Sequence, residues 1–259
     1  MKEFYNAFFT AVEHSQAHHI FCERVFGKDL GQHGFTNLEQ LDLLMQVTQL
    51  GPAQRALDLG CGNGLIAEYL SDCTGAHITG LDYIPQAIDQ AQQRTASKLE
   101  RLAFMVGDIN QLELSNSVFD IVISIDTIYF STDYAVTLRE LKAALRPGGE
   151  MAIFYSYGRE PWVPVEQFSK DTLPPDKTPL AEALRANDLS FCTWDLTHQD
   201  YQLAKLRKEV LMELKAQFEA EATLFIYENR FGDAEGVRQA IEEGLHVRYL
   251  YHVQLTKLD

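Results

Sequence analysis

Asp58, Gly60, Gly62 and Gly64, in Ala56-Leu-Asp-Leu-Gly-Cys-Gly-Asn-Gly64, place a carboxylate and three alternate glycines at the end of a short apolar run. Such a run reads as a buried parallel strand, and glycines directly behind it let the backbone turn tightly and approach a ligand. Leu65, Ile66, Tyr69 and Leu70 then recur at helical spacing, so a helix over Leu65 to Asp72 would offer the free N–H groups of its first turn to that ligand. The chemistry implied is the capture of a nucleotide by backbone and carboxylate together. Further acids follow at the ends of further apolar runs. Ala76 to Leu81 ends in Asp82, at the distance behind the loop where an acid accepts hydrogen bonds from ribose hydroxyls. Leu102 to Val106 leads into Gly107-Asp108-Ile109, and Phe119 to Ile125 into Asp126. Leu145 to Phe154 adds a fifth strand, entered from a helix through the turn Pro147-Gly148-Gly149. Taken singly, Asp82, Asp108 and Asp126 read equally well as helix caps or turn formers. Their joint placement at the carboxyl ends of successive strands is what points to a binding crevice.

The strict alternation of Gly60, Gly62 and Gly64 differs from the Gly-x-Gly-x-x-Gly of dinucleotide enzymes, and with Asp58 it resembles motif I of class I S-adenosylmethionine-dependent methyltransferases. The acids and the Pro-Gly-Gly turn extend the resemblance, and independent agreements of this kind reinforce one another. The resemblance implies an α/β, Rossmann-like, doubly wound sheet of seven strands, mostly parallel, with an antiparallel last strand beside the fifth. It implies S-adenosylmethionine as cofactor, held by Gln32, Asp58, Gly60, Cys61, Gly62, Gly64, Asp82, Tyr83, Asp108, Ile109 and Ile125, with Asp82 on the ribose and Asp108 near the adenine amine.

A shorter likeness links Val25 to Gly34 and Ser124 to Ile128 with phosphoethanolamine and glycine-betaine-type N-methyltransferases. It implies that Gln32, His33 and Gly34 lie at the methionyl end of the cofactor and Asp126 beside a substrate amine. The sequence departs from that pattern where a first-helix tyrosine stands as His14 and a histidine after Asp126 stands as Phe130. The candidate catalytic residues are His33, Asp126, His14 and Tyr129. His33 is the expected orienting group or proton acceptor: as a proton acceptor, activity is expected to fall as pH drops through the region near 6.5, and as an orienting group only, the pH profile is expected not to depend on it. His14 and His18 sit one helical turn apart, but two ligands do not make a metal site, and no metal is expected. Tyr129, Phe130, Tyr155 and Tyr157 read either as faces for a cationic amine or as core.

The remaining chain must position these groups. A net charge of −15 over 259 residues opposes nucleic-acid backbones and anionic membranes, and no apolar run reaches the ~20 residues that span a bilayer. Met1 to Thr10 lacks the pattern of a signal peptide, and Cys22, Cys61, Cys73 and Cys192 are scattered, so a cytoplasmic, reduced protein is expected, monomer or homodimer, acting on a small molecule. One domain is expected, with a helical lid over residues 1–50, a cofactor-binding core over 51–158, a loop, strand and helical cap over 159–245, and the last strand over 246–259. Phe4, Phe8 and Val12, then Leu41, Leu44 and Val47, give the first part helical spacing; whether it is lid or brace stays open. Helices are expected over Ile84 to Leu99, Thr132 to Leu145 (capped by Ser131 or Thr132), Leu180 to Asn187, Tyr201 to Asn229 and Ala234 to Leu245. Strands are expected over Leu189 to Leu196 and His246 to Leu258, and the five prolines between Gly158 and Pro179 make that segment a loop. The mixed charges from Lys205 to Glu221 (Arg207, Lys208, Glu209, Glu213, Lys215 and Glu219 among them) read as a solvated helix face, or as a cap turning polar groups inward. The expected function is methyl transfer to nitrogen, oxygen or carbon of a small molecule. The alternatives are a non-catalytic cofactor-binding or regulatory protein, and an RNA methyltransferase, which the acidic balance opposes.

Overall fold

The computed structural model describes residues 2–255 and puts the glycine-bearing strand at the hub of the sheet. β1 (Arg55–Leu59) pairs in parallel with β2 (His77–Asp82) on one side and with β4 (Phe119–Ile125) on the other. β3 (Leu102–Val106) adds outside β2, and β5 (Leu145–Gly158) outside β4. β7 (His246–Gln254) runs antiparallel between β5 and the edge strand β6 (Ser190–Asp195), giving the order β3-β2-β1-β4-β5-β7-β6. The fold class implied by the resemblance is the one observed. Leu57, Leu59, Ile121, Val122 and Ile123 are fully buried because parallel strands are covered on both faces. The chain winds from β1 out to β3 and restarts on the far side at β4, so the carboxyl ends of β1 and β4 frame the reversal point where open α/β sheets bind ligands.

α3 (Leu38–Thr48), α4 (Leu65–Thr74), α5 (Pro85–Arg94), α6 (Tyr134–Ala144) and α7 (Pro179–Ala186) flank the sheet. α1 (Lys2–Val12), α2 (Gln16–Phe26), α8 (Thr197–Ala220) and α9 (Leu224–Glu242) form a separate helical cap around Phe8, Phe21, Leu211, Phe218 and Ile226, all fully buried. α1 therefore braces the cap through Phe8 and Val12 while Lys2, Tyr5 and Phe9 reach the cavity described below.

Several boundaries differ from expectation for local reasons. α6 is capped by Asp133, whose carboxylate accepts from Ala135 N and Val136 N, while the Ser131 hydroxyl bonds Thr137 and the Thr132 hydroxyl bonds Asn110. α5 stops at Arg94, where the chain turns through Thr95, whose carbonyl accepts from Lys98 N. The long helix breaks at Glu221-Ala222-Thr223, not near Asn229, with Ala222 in the left-handed region at φ 57°. The Glu221 carboxylate there accepts from Ala17 N and Ser15 Oγ, so the break seats an acid on the positive end of α2. The proline-rich segment is a loop as expected, tightened into single turns at Val165–Gln167 and Lys170–Thr172. The expected continuation of the last strand through Leu258 lies outside the described residues beyond Leu255.

Candidate active site

Gly60, Gly62 and Gly64 all have positive φ, at 77°, 54° and 74°, which is why three glycines are needed in five residues. A Cβ on Gly60 would collide with the Thr127 side chain behind β4, while one on Gly62 would stand 3.2 Å from the Phe9 ring of α1. The loop is tied to β2 by Gly60 N donating to Leu81 O at 2.7 Å and Gly62 N donating to Asp82 Oδ2 at 2.8 Å. Ile84 N donates to the other Asp82 oxygen at 2.9 Å. One carboxylate thus aligns the glycine turn with the start of α5 while retaining lone pairs for a ligand.

These elements enclose a cavity of about 570 Å³ at the carboxyl ends of β1, β2 and β4. Of the expected cofactor-binding set, Gln32, Asp58, Gly60, Cys61, Gly62, Asp82, Tyr83, Asp108, Ile109 and Ile125 line it. Gly64 does not: it packs against Phe104 and Ala91, letting α4 start close to the sheet. Asp58 is almost fully buried, and burial, reinforced by the neighbouring Asp82 charge, pushes its carboxyl up to about 7; burial also raises Asp82, against its backbone hydrogen bonds.

The other end of the cavity is built from Gln32, His33, Gly34 and Thr36, a loop held by buried arginines. Arg230 of α9 donates to His33 O at 2.5 Å and to Gln32 O at 2.9 Å, and Arg207 of α8 donates to Gly34 O at 3.1 Å while stacking 3.9 Å from the Phe35 ring centroid. Arg248 of β7 grips both oxygens of Asp126 and donates to Thr36 Oγ1 at 2.8 Å. Asp126 Oδ2 in turn accepts from Phe35 N at 3.0 Å. Each arginine is fully buried. Burial lowers Arg207 to about 9 and also lowers Arg230, which face carbonyls, whereas the Asp126 and Asp200 charges overcome burial at Arg248 and hold it protonated.

His33 lines the cavity with its ring against Tyr5 and Phe8, at centroid distances of 5.0 and 5.1 Å, and its buried Nε2 has no partner. Burial, then the Arg230 and Arg207 charges, push its pKa well below 6.5, so the imidazole is neutral throughout the physiological range. Of the two expected roles, a ring held neutral in this way favours the orienting group over the proton acceptor that would titrate near 6.5. Asp126 is also placed differently: it lines the cavity, but its oxygens are turned to Arg248 and Phe35 N because a buried guanidinium requires a counter-charge. His14 is exposed in the turn after α1 and does not line the cavity, since that helix turns Tyr5 and Phe9 inward instead. Tyr129 and Phe130 line the cavity with ring centroids 4.9 Å apart, while Tyr155 belongs to the sheet core and Tyr157 stacks on it. Tyr5, Phe9, Asn63 and Asn110 line the cavity without having been singled out; the i, i+4 spacing of Tyr5 and Phe9 was their only signal. Arg207, read within a solvated face, is fully buried, whereas Lys205, Glu209, Glu213, Lys215 and Glu219 are exposed as that reading holds.

Residues 50–215 match the family described as a methyltransferase domain. The chain belongs to that family. Phosphoethanolamine N-methyltransferase 1 of Arabidopsis thaliana is 29% identical over 166 residues, covering 64% of this chain and 33% of that protein. Malonyl-[acyl-carrier protein] O-methyltransferase of Serratia marcescens is 30% identical over 127 residues, 48% of each chain. The alignments thus span between a third and a half of these two relatives. Haemonchus contortus phosphoethanolamine N-methyltransferase 2, solved with phosphomonomethylethanolamine and S-adenosylhomocysteine, superposes with a TM-score of 0.76 at 19% identity, over 97% of this chain and 60% of that one. The superposition shows a shared fold. S-adenosylmethionine is the cofactor of the methyltransferase family, and this cavity fits it. The glycine turn admits no side chain at Gly60, Asp82 keeps free lone pairs, and the buried Nε2 of His33 waits at the far end.

Proposed function

We propose that this methyltransferase domain binds S-adenosylmethionine across the carboxyl ends of β1, β2 and β4 and transfers its methyl group to a small-molecule acceptor. The observation that carries this reading is the Asp82 carboxylate, joined by its two oxygens to the glycine loop and to the start of α5 on the cavity wall. Asp82 would hold the ribose, the side-chain-free glycine turn would let the amino-acid part lie close to the backbone, and Asp108 and Ile109 would flank the base. The cofactor supplies an electrophilic methyl group. The chain has to align the acceptor for in-line displacement, exclude water and accept hydrogen bonds from the acceptor. His33, Tyr5, Tyr129 and Phe130 would do that, His33 through a neutral ring, on the loop that the Gln32 side chain holds in shape. An amine is the acceptor favoured by the lining, where Tyr5, Tyr129 and Phe130 offer aromatic faces to a cation and Lys2 is the single lysine or arginine among the described lining residues. Four free thiols and the absence, among the described residues, of a helix able to cross a membrane support a cytosolic setting.

Incubation with S-adenosylmethionine and a panel of small amines, alcohols and activated carbons, followed by mass spectrometry, tests the proposal. S-adenosylhomocysteine with one methylated acceptor is expected; cofactor binding without turnover on any acceptor would favour a regulatory protein. Gly62→Val is expected to weaken cofactor binding by more than about tenfold, because the branched side chain would crowd Phe9 and the cavity, and also to lower the melting temperature by several degrees through strain at a φ of 54°. Calorimetric titration checks it.

The pH behaviour follows from His33. Its pKa is lowered on folding, so the unfolded chain takes up a proton below about 6.5 that the folded chain refuses, and this residue's contribution to stability falls as pH drops through that region. Activity is expected to show no histidine inflection near 6.5 that depends on His33. An inflection there that disappears in His33→Gln would contradict a permanently neutral imidazole.

A further inference from the structure

Away from the cavity, a thiol, an imidazole and a carboxylate converge on the outer strands of the sheet. Cys192 on β6 lies directly across from His252 on β7, and Glu150 on β5 lies two residues from Ala152, the direct partner of His252. Side chains alternate along a strand, so the three share one face. His252 Nε2 stands 2.5 Å from Glu150 Oε2, and its Nδ1 stands 3.9 Å from Cys192 Sγ. An ionised carboxylate only accepts hydrogen bonds, so Glu150 keeps the ring proton on Nε2 and leaves the Nδ1 lone pair facing the thiol. Nucleophile, base and orienting acid thus stand in the order that activates a weak nucleophile. Cys192 is exposed, while the His252 and Glu150 side chains are mostly shielded, so the base stays ordered while the sulfur meets solvent.

We propose that Cys192 is a modification site that reacts with small disulfides to form a mixed disulfide. The Sγ proton passes to His252 Nδ1 and the thiolate attacks one sulfur of the incoming disulfide. The new Sγ–S bond forms as the old S–S bond breaks, and the departing thiolate recovers the proton from the imidazolium. The disulfide is the only oxidant, and one half of it leaves as a thiol. The other cysteines lack this combination. Cys22 and Cys61 are buried, and burial raises both thiols above their ordinary range. Among the described residues, Cys22 and Cys192 are the thiols with an imidazole within sulfur hydrogen-bonding distance, which leaves Cys73 as an exposed thiol without a base.

The full chain is treated with oxidised glutathione at pH 7, and adduct formation is timed at each cysteine by peptide mass spectrometry. Cys192 is expected to react at least about tenfold faster than Cys73, a threshold below the roughly hundredfold or more that a well-positioned base contributes. His252→Gln is expected to bring Cys192 to within about threefold of Cys73, and Glu150→Gln, which keeps the shape of the site, to slow it by an intermediate amount. The Cys73 rate, which a merely loosened sheet would raise along with Cys192, stays constant in both variants. Equal rates at Cys192 and Cys73 in the unaltered chain would overturn the proposal, as would a Cys192 rate unchanged in both variants.

Discussion

Arg248→Met is expected to lower the free energy of unfolding by about 3–5 kcal/mol, the usual cost of breaking a buried ion pair from one side. Arg248 is fully buried, and its guanidinium meets both Asp126 oxygens, the Thr36 hydroxyl and, at 3.4 Å, Asp200 Oδ1. Its loss strands one carboxylate beside the cavity and leaves Asp200, which burial already raises to about 7, without its counter-charge. Asp126→Asn in the same background is expected to recover part of the loss, because the remaining partner no longer carries a charge. The cycle of two single variants and the double variant therefore shows coupling, as contacting residues do. Urea unfolding followed by circular dichroism checks this. Losses below about 1 kcal/mol in the single variant, or strict additivity, would mean that the pair does not anchor the Gln32–Thr36 loop to the sheet.

Asp82→Ala is expected to weaken S-adenosylmethionine binding by about 2 kcal/mol or more, roughly thirtyfold, since a charged acceptor for two hydroxyls disappears from a mostly shielded wall. The same carboxylate receives Gly62 N and Ile84 N, so part of the loss arises from a looser glycine turn. Asp82→Asn separates the two contributions. It keeps an oxygen for the backbone and loses the charge, so it is expected to fall between the unaltered protein and Asp82→Ala. Calorimetry of the three proteins gives the order, and equal affinities would remove the ribose role from Asp82.

The glycine-loop half of the cavity was legible because local rules determine it. Apolar runs ending in an acid mark β1, β2 and β4, and alternate glycines are required wherever three positive φ values fall in five residues. The half around Gln32 to Thr36 was not, because long-range pairing decides it. Arg207 sits among lysines and glutamates that face solvent, and nothing in its neighbours distinguishes a guanidinium that reaches Gly34 O across 173 residues. Likewise, Glu221 and Ala222 lie in a run of good helix formers, and the break there reflects the N–H groups of α2, which only the folded chain brings near. His33 was located by resemblance, but its protonation depends on burial and on Arg230, nearly two hundred residues further along the chain.

In the proposed function one cavity holds the nucleoside at Asp82 and presents the methyl group at the Gln32–Gly34 loop. A crystal structure of the protein with S-adenosylhomocysteine tests it most directly. Ribose hydroxyls are expected on Asp82, the base between Tyr83 and Ile109, and the sulfur on the His33 side of the glycine turn, with the Arg230 and Arg207 hydrogen bonds to the loop retained. A nucleoside bound elsewhere, or one reversed so that its base faces His33, would contradict it.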